Sequence, residues 1–191
     1  MNTANRPAAG APTGSSQTRL VVVRGNSASG KSSVAAGIRD RFGRGLAVVA
    51  QDNLRRTVLR ERDRPGATNI GLIDTVARYS LDHGYHVVVE GILYAEHYGA
   101  MLEHLVDDHL GVTRRYYLAV PFEETLVRHA SKADPGLPAA VTERELRTWY
   151  RELDVLPGGI ETVIGSDSTL HDTVERIMRD TELSQLPAHD N

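Results

Sequence analysis

The stretch Leu20-Val21-Val22-Val23-Arg24-Gly25-Asn26-Ser27-Ala28-Ser29-Gly30-Lys31-Ser32 decides how this chain is read. Its first four residues are an apolar, largely β-branched run of the kind that forms a buried strand. Residues 25–32 follow the pattern G-x-x-x-x-G-K-S. Residues 33–42 then place apolar side chains at 34, 35, 38 and 42, which is helical spacing. Strand, glycine loop and helix in succession are the context that makes this pattern a phosphate site.

The physical reason is local. Backbone N–H groups of Gly25, Asn26, Ser27, Ala28, Ser29 and Gly30 turn inward. The first helical residues through Ser33 add their unpaired N–H groups and the positive end of the helix dipole. Lys31 brings a point charge to the β- and γ-phosphates, and the Ser32 hydroxyl is a hard oxygen ligand suited to Mg²⁺. Lys31 and Lys132 are the chain's two lysines, while arginine is its common basic residue, so lysine at position 31 is a specific choice.

Composition sets the outer bounds. At 191 residues the chain is long enough for one domain with a sizeable core. A net charge of −3 and the lack of any basic run argue against a nucleic-acid partner. With no cysteine there is no disulfide framework, thiol nucleophile or cysteine-based zinc site, which fits a cytoplasmic location. No apolar run has the length of a membrane span. The histidines show no metal-ligand spacing. Residues 1–18, rich in Ala, Gly, Pro, Ser and Thr, read as a disordered tail, and 184–191 as a short C-terminal tail. The domain is then 19–183.

Between the tails, strands and helices alternate. Strands are predicted over 20–23, 45–50, 86–91, 115–120 and 161–165. Helices are predicted over 33–42, 53–62, 69–83, 94–110, from Pro121 to about 132, 142–153 and 169–182, with a Pro- and Gly-bearing loop at 133–140. This alternation implies a three-layer α/β/α fold around a five-stranded parallel sheet. Ligands of such sheets bind beyond the carboxyl ends of the strands. The polar residues there are Lys31 and Ser32 after strand one, Asp52 after strand two and Glu90 ending strand three.

With the phosphate loop, the segment Val-Ala-Gln-Asp52-Asn-Leu-Arg55-Arg56 and the strand end Val-Val-Val-Glu90-Gly91, the chain resembles the small P-loop kinases. That group includes the nucleoside-monophosphate, shikimate and gluconate kinases, chloramphenicol phosphotransferase and the zeta-toxin-like kinases. The resemblance covers 19 to about 180 and implies the sheet order 2-3-1-4-5. It implies ATP with Mg²⁺ as cofactors, GTP being possible. It also implies Asp52 as general base for an acceptor hydroxyl. The bland alternative is that Asp52 caps the next helix. One of Arg55 and Arg56 is implied as a substrate ligand. Adjacent residues do not share a helix face, so only one is expected to point inward, Arg55 first.

Glu90 is expected to order Mg²⁺ with Ser32 or to bind substrate; the alternative is a structural acceptor for loop N–H groups. Tyr94 and His97 are placed to line an acceptor pocket, while Tyr98 reads as core. Arg128 and Lys132, four residues apart, are implied to close over the transferring phosphate from a lid spanning about 128–150, with Arg144 and Arg147 as alternative donors. The resemblance puts the adenine near Ser166–Ser168. Lys132-Ala133-Asp134 superficially matches a guanine-reading element, but that element directly follows a strand and here a helix intervenes.

The expected activity is a small-molecule kinase acting on a hydroxyl of a metabolite, nucleoside or antibiotic, as a monomer or homodimer. Two alternatives stay open: a nucleotide-dependent ATPase or switch, and a zeta-toxin-like nucleotide-sugar kinase.

Overall fold

The apolar run that opens the phosphate loop becomes the central strand, β1 (Arg19–Gly25), and all seven of its residues are buried. A computed structural model describes residues 10–131 and 141–188. Around β1 lie β2 (Leu46–Ala50), β3 (His86–Gly91), β4 (Val112–Ala119) and β5 (Thr162–Gly165), in the order β2-β3-β1-β4-β5. Every pairing is parallel, as the resemblance implied.

Successive side chains of a strand face opposite ways, so β1 feeds two cores. Val21 and Val23 pack with Ile38 of α1 (Lys31–Phe42) and Ile177 of α6 (Leu170–Asp180). Leu20 and Val22 pack with Ile73 of α2 (Thr68–Asp82) and Leu102 of α3 (Ala95–Asp108). Two short helices, α4 (Phe122–Ala130) and α5 (Glu143–Trp149), stand over the carboxyl end of the sheet between β4 and β5.

Four expectations are corrected. Residues 10–18 are not a disordered tail. Thr13 N–H donates to Asp108 O at 2.9 Å, Leu110 N–H donates back to Thr13 O at 3.1 Å, and the Thr13 hydroxyl reaches Asp82 Oδ1 at 2.8 Å. Small polar residues here are held by hydrogen bonds rather than apolar burial, which composition does not register. Their neighbour His109 bonds Thr18 at 2.9 Å and Thr113 at 2.8 Å, and burial pushes its imidazole down to about 4, leaving it neutral.

The 53–62 helix is instead a π-helical turn, Asn53–Val58, followed by an irregular segment. The 142–153 helix stops at Trp149, because residues 151–161 are pulled onto the sheet by polar contacts described below. At the C-terminus, residues 183–185 form a 3₁₀ turn and Leu186 packs against the α1–α6 core.

Candidate active site

The phosphate loop sits between β1 and α1. Gly25 has φ 145°, and a Cβ there would lie 2.7 Å from the Leu118 carbonyl of β4. Gly30 is left-handed at φ 102° and starts α1, whose first turn carries no acidic residue to compete with an anion. The Lys31 Nζ donates to Asn26 O at 2.6 Å and to Ser29 Oγ at 3.3 Å, so the ammonium is folded into the loop.

The strand ends bring the expected polar residues together. Ser32 donates to Glu90 Oε1 at 3.1 Å. Glu90 is buried, and burial raises its carboxyl above the usual range, partly offset by the Lys31 charge and the Ser32 hydrogen bond. The Asp52 charge also reaches it and adds to the rise. A hydroxyl and a carboxylate side by side are the hard oxygen donors that Mg²⁺ accepts, with phosphate and water completing its shell.

Asp52 has helical backbone angles and caps nothing. Its side chain is 60% exposed and therefore open to a ligand. Arg55 and Arg56 both reach it, at 2.9 Å and 3.1 Å, and both meet Oδ1. The expectation that only one arginine faces inward is thus corrected: positions three and four residues beyond Asp52 flank it on one face. Oδ2 is left without a partner among the described residues. The Arg55 side chain is nearly buried, its Nε has no partner, and its Nη1 holds Glu61 O at 3.3 Å. The Arg56 guanidinium lies 5.9 Å from the centre of the Trp149 ring.

Tyr94 immediately precedes α3 and its hydroxyl donates to Trp149 O at 2.7 Å, with the Arg151 guanidinium over its ring at 5.5 Å. His97 meets Asp63 at 3.2 Å, and Tyr98 is fully buried, as expected of core. Asp63 belongs to a network that composition did not reveal: the Tyr98 hydroxyl meets Gln51, Asp63 and Asn69, and Gln51 also donates to Asp63, all at 2.7–3.0 Å. It pins the segment after the π turn to α2 and α3.

On the opposite side of the loop lies a cavity of about 340 Å³. Ala28, Ser29, Gly30, Ser33, Arg128 and Ser131 line it from the loop and α4, and 164–170 line it from the β5–α6 connection. Ser166 and Ser168 are among those lining residues. Arg128 Nη1 donates to Ser29 O at 3.1 Å. Arg144 and Arg147 do not line this cavity; Arg147 pairs with Glu143 at 3.1 Å and covers Phe122. Lys132 and most of the loop that follows α4 lie outside the described residues. Ser27 is half-buried in the loop, and the Asn26 side chain turns from the cavity toward Arg151, whose backbone N–H and C=O it binds at 2.9 Å and 2.7 Å.

The residue most clearly missed is Arg24. Its side chain is wholly buried, bonded to both Glu161 carboxylate oxygens at 3.0 Å and 2.8 Å, to Asp154 Oδ2 at 3.0 Å and to Leu93 O at 2.9 Å. The signal was a charge ending an otherwise apolar strand, the same signal that singled out Glu90.

A parallel sheet in the order 2-3-1-4-5, with a glycine loop between its central strand and the first helix, defines the class: this is the fold of the small P-loop kinases. Solved structures of that class match the whole domain. A sugar kinase of Janibacter sp. superposes with a TM-score of 0.62 at 19% identity, covering 90% of this chain and 99% of that one. The APS kinase of Mycobacterium tuberculosis, solved with AMPPNP and APS, gives 0.60 at 21% identity, covering 90% and 99%. The tunicamycin resistance protein of Deinococcus radiodurans gives 0.56 at 17%, covering 85% and 94%. No family model and no curated protein sequence matches the chain. Among the described residues, no helix is long and apolar enough to cross a membrane.

Proposed function

We propose that the chain is an ATP-dependent small-molecule kinase that transfers the γ-phosphate to a hydroxyl group. The observation that carries this reading is the pairing of two carboxylates in unlike environments around one phosphate loop. Glu90 is buried against Ser32, while Asp52 is exposed and its described contacts fall on Oδ1 alone. Environments that separate two acids commonly separate their roles. Glu90 and Ser32 would hold Mg²⁺, and Asp52 Oδ2 accepts the proton of the attacking hydroxyl. The acceptor's hydroxyl oxygen then bonds the γ-phosphorus as the bond to the bridging β–γ oxygen breaks and ADP leaves. Lys31 and Arg128 offset the charge on the transferring group, joined by Lys132 from beyond the described residues. The purine of ATP or GTP would lie in the 340 Å³ cavity beside the phosphate loop.

The acceptor is a compact hydroxylated molecule: a sugar, a nucleoside, a hydroxy acid or an antibiotic. The solved neighbours include a sugar kinase, an APS kinase and a tunicamycin resistance protein, which supports that range. The test is ATP consumption with Mg²⁺ against a panel of these compounds, each with a no-acceptor control. Acceptor-dependent ADP release with a phosphorylated product by mass is expected. Hydrolysis at the same rate whatever the acceptor overturns the kinase reading in favour of an ATPase or switch.

A further inference from the structure

The Asn26 carboxamide does something a phosphate-binding backbone does not require. It leaves the nucleotide cavity and closes a two-bond clamp on the backbone of Arg151, with N–H and C=O both engaged. The clamp is buried, since Asn26 is only 3% exposed. The clamped segment is also anchored through Arg24 to Asp154 and Glu161, so it is a wall fixed to the sheet rather than a free loop.

On its inner side, the backbone carbonyl of Asn26 accepts from the Lys31 ammonium at 2.6 Å. An arriving β- or γ-phosphate competes with that carbonyl for the same charge. On its outer side, Arg151 lies over Tyr94, Tyr94 holds the Trp149 carbonyl, and the Trp149 ring meets Arg56, which holds Asp52. A continuous chain of contacts thus runs from the phosphate-binding lysine to the candidate base. Contiguity alone does not demonstrate coupling, but this chain has one narrow crossing point.

We propose that Asn26 is a positioning residue that couples nucleotide occupancy to the acceptor wall through the Arg151 backbone. The proposal rests on the nucleotide site argued above and is independent of what the acceptor is. Coupling of this kind is reciprocal, so whatever orders the wall tightens nucleotide binding as well.

Trp149 is the chain's single tryptophan and stands in the wall, outside the nucleotide cavity, so its emission reports the far side of the crossing. The experiment titrates Mg²⁺ with AMP-PNP into the full chain. It follows Trp149 fluorescence and, in parallel, binding by calorimetry. The wild type is expected to bind and to change emission with the same midpoint. Asn26→Asp, an isostere that turns a donor into a charge facing Arg151 O, and Asn26→Ala are each expected to cut the saturated emission change at least threefold while calorimetric binding persists. Arg151→Ala removes the guanidinium over Tyr94 but leaves the backbone clamp, which is two residues from Trp149 along the chain, so it is expected to keep more than half of the change.

A binding wild type with no emission change, or a binding Asn26 variant with the full wild-type change, overturns the coupling. Loss of nucleotide binding in both Asn26 variants assigns the residue to the loop's own folding and also overturns it. A wild type that binds no nucleotide is a separate failure: it removes the nucleotide site and the kinase reading together.

Discussion

The two walls of the candidate active-site cleft are held in different ways. Lys31 and Ser32 stand on the first turn of a twelve-residue helix whose apolar face is buried against the sheet. Asp52, Arg55 and Arg56 stand on a six-residue π turn with no buried residue, fixed by ion pairs and the Gln51–Asp63 network. The first wall is set by the core and does not depend on what binds. The second is set by polar contacts that a ligand can exchange for its own. A transferase that must admit one constant nucleotide and one particular acceptor gains from having rigidity on one side and exchangeable charge on the other.

The difference can be tested by removing its parts. Lys31→Ala should cost the most, about a thousandfold or more in turnover, because it removes a preorganised charge from the transferring phosphate. Retained turnover in a steady-state assay would displace the phosphate loop from the chemistry. Arg24→Met comes next. It leaves Glu161 and Asp154 without their buried counter-charge, and breaking such a cluster costs about 3–5 kcal/mol. Denaturant titration should show the midpoint fall; an unchanged midpoint would mean the wall is held otherwise.

Asp52→Asn should lower turnover about a hundredfold, the size of a general-base effect, with nucleotide affinity unchanged by calorimetry. Normal turnover would leave Asp52 as a partner of the two arginines and nothing more.

Glu90→Gln has the smallest effect on the fold and the opposite sign. Burial raises the folded-state carboxyl pKa above its usual 4.5, so the charged form costs stability once pH rises through that raised value. The amide should raise Tm near neutral pH, where the buried carboxylate is otherwise charged. The gain should vanish below pH 4.5, where the carboxyl is protonated in both states. Mg²⁺-dependent turnover should fall at the same time. A gain that is independent of pH would put its origin outside the carboxylate.

The same contrast governs how much of the molecule was legible in the sequence. Periodicity located every strand of the sheet, because each buried strand is an apolar run that owes little to distant residues. The phosphate loop was legible for a related reason: its geometry is local, and glycine, lysine and serine at set intervals encode it. The acceptor wall was not. Arg24, Asp154 and Glu161 meet only in three dimensions, and nothing near Asp154 or Glu161 marks them as partners of a strand end. Asn26 was legible as a loop residue but not as the clamp on Arg151, since a side chain's direction depends on what the fold brings to it. The pairing of both arginines with Asp52 is readable from their spacing of three and four residues beyond it, which places both beside Asp52 on a helical turn. Residues 10–18 were misread because composition reports apolar content and their anchorage is polar.

The position of β1 has a consequence for how the chain acquires its structure. This strand is completed first during synthesis, yet its partners are residues 86–91 on one side and 112–119 on the other. No hairpin can cover it meanwhile, since every pairing in the sheet is parallel and crosses over. Sheets that wait for distant partners pay loop-closure entropy early and fold slowly. Until β3 and β4 arrive, Leu20-Val21-Val22-Val23 is an unpaired apolar segment of the kind that associates with its own copies. The strand that makes the phosphate loop rigid in the finished protein is therefore the segment most in need of protection while the protein is being made.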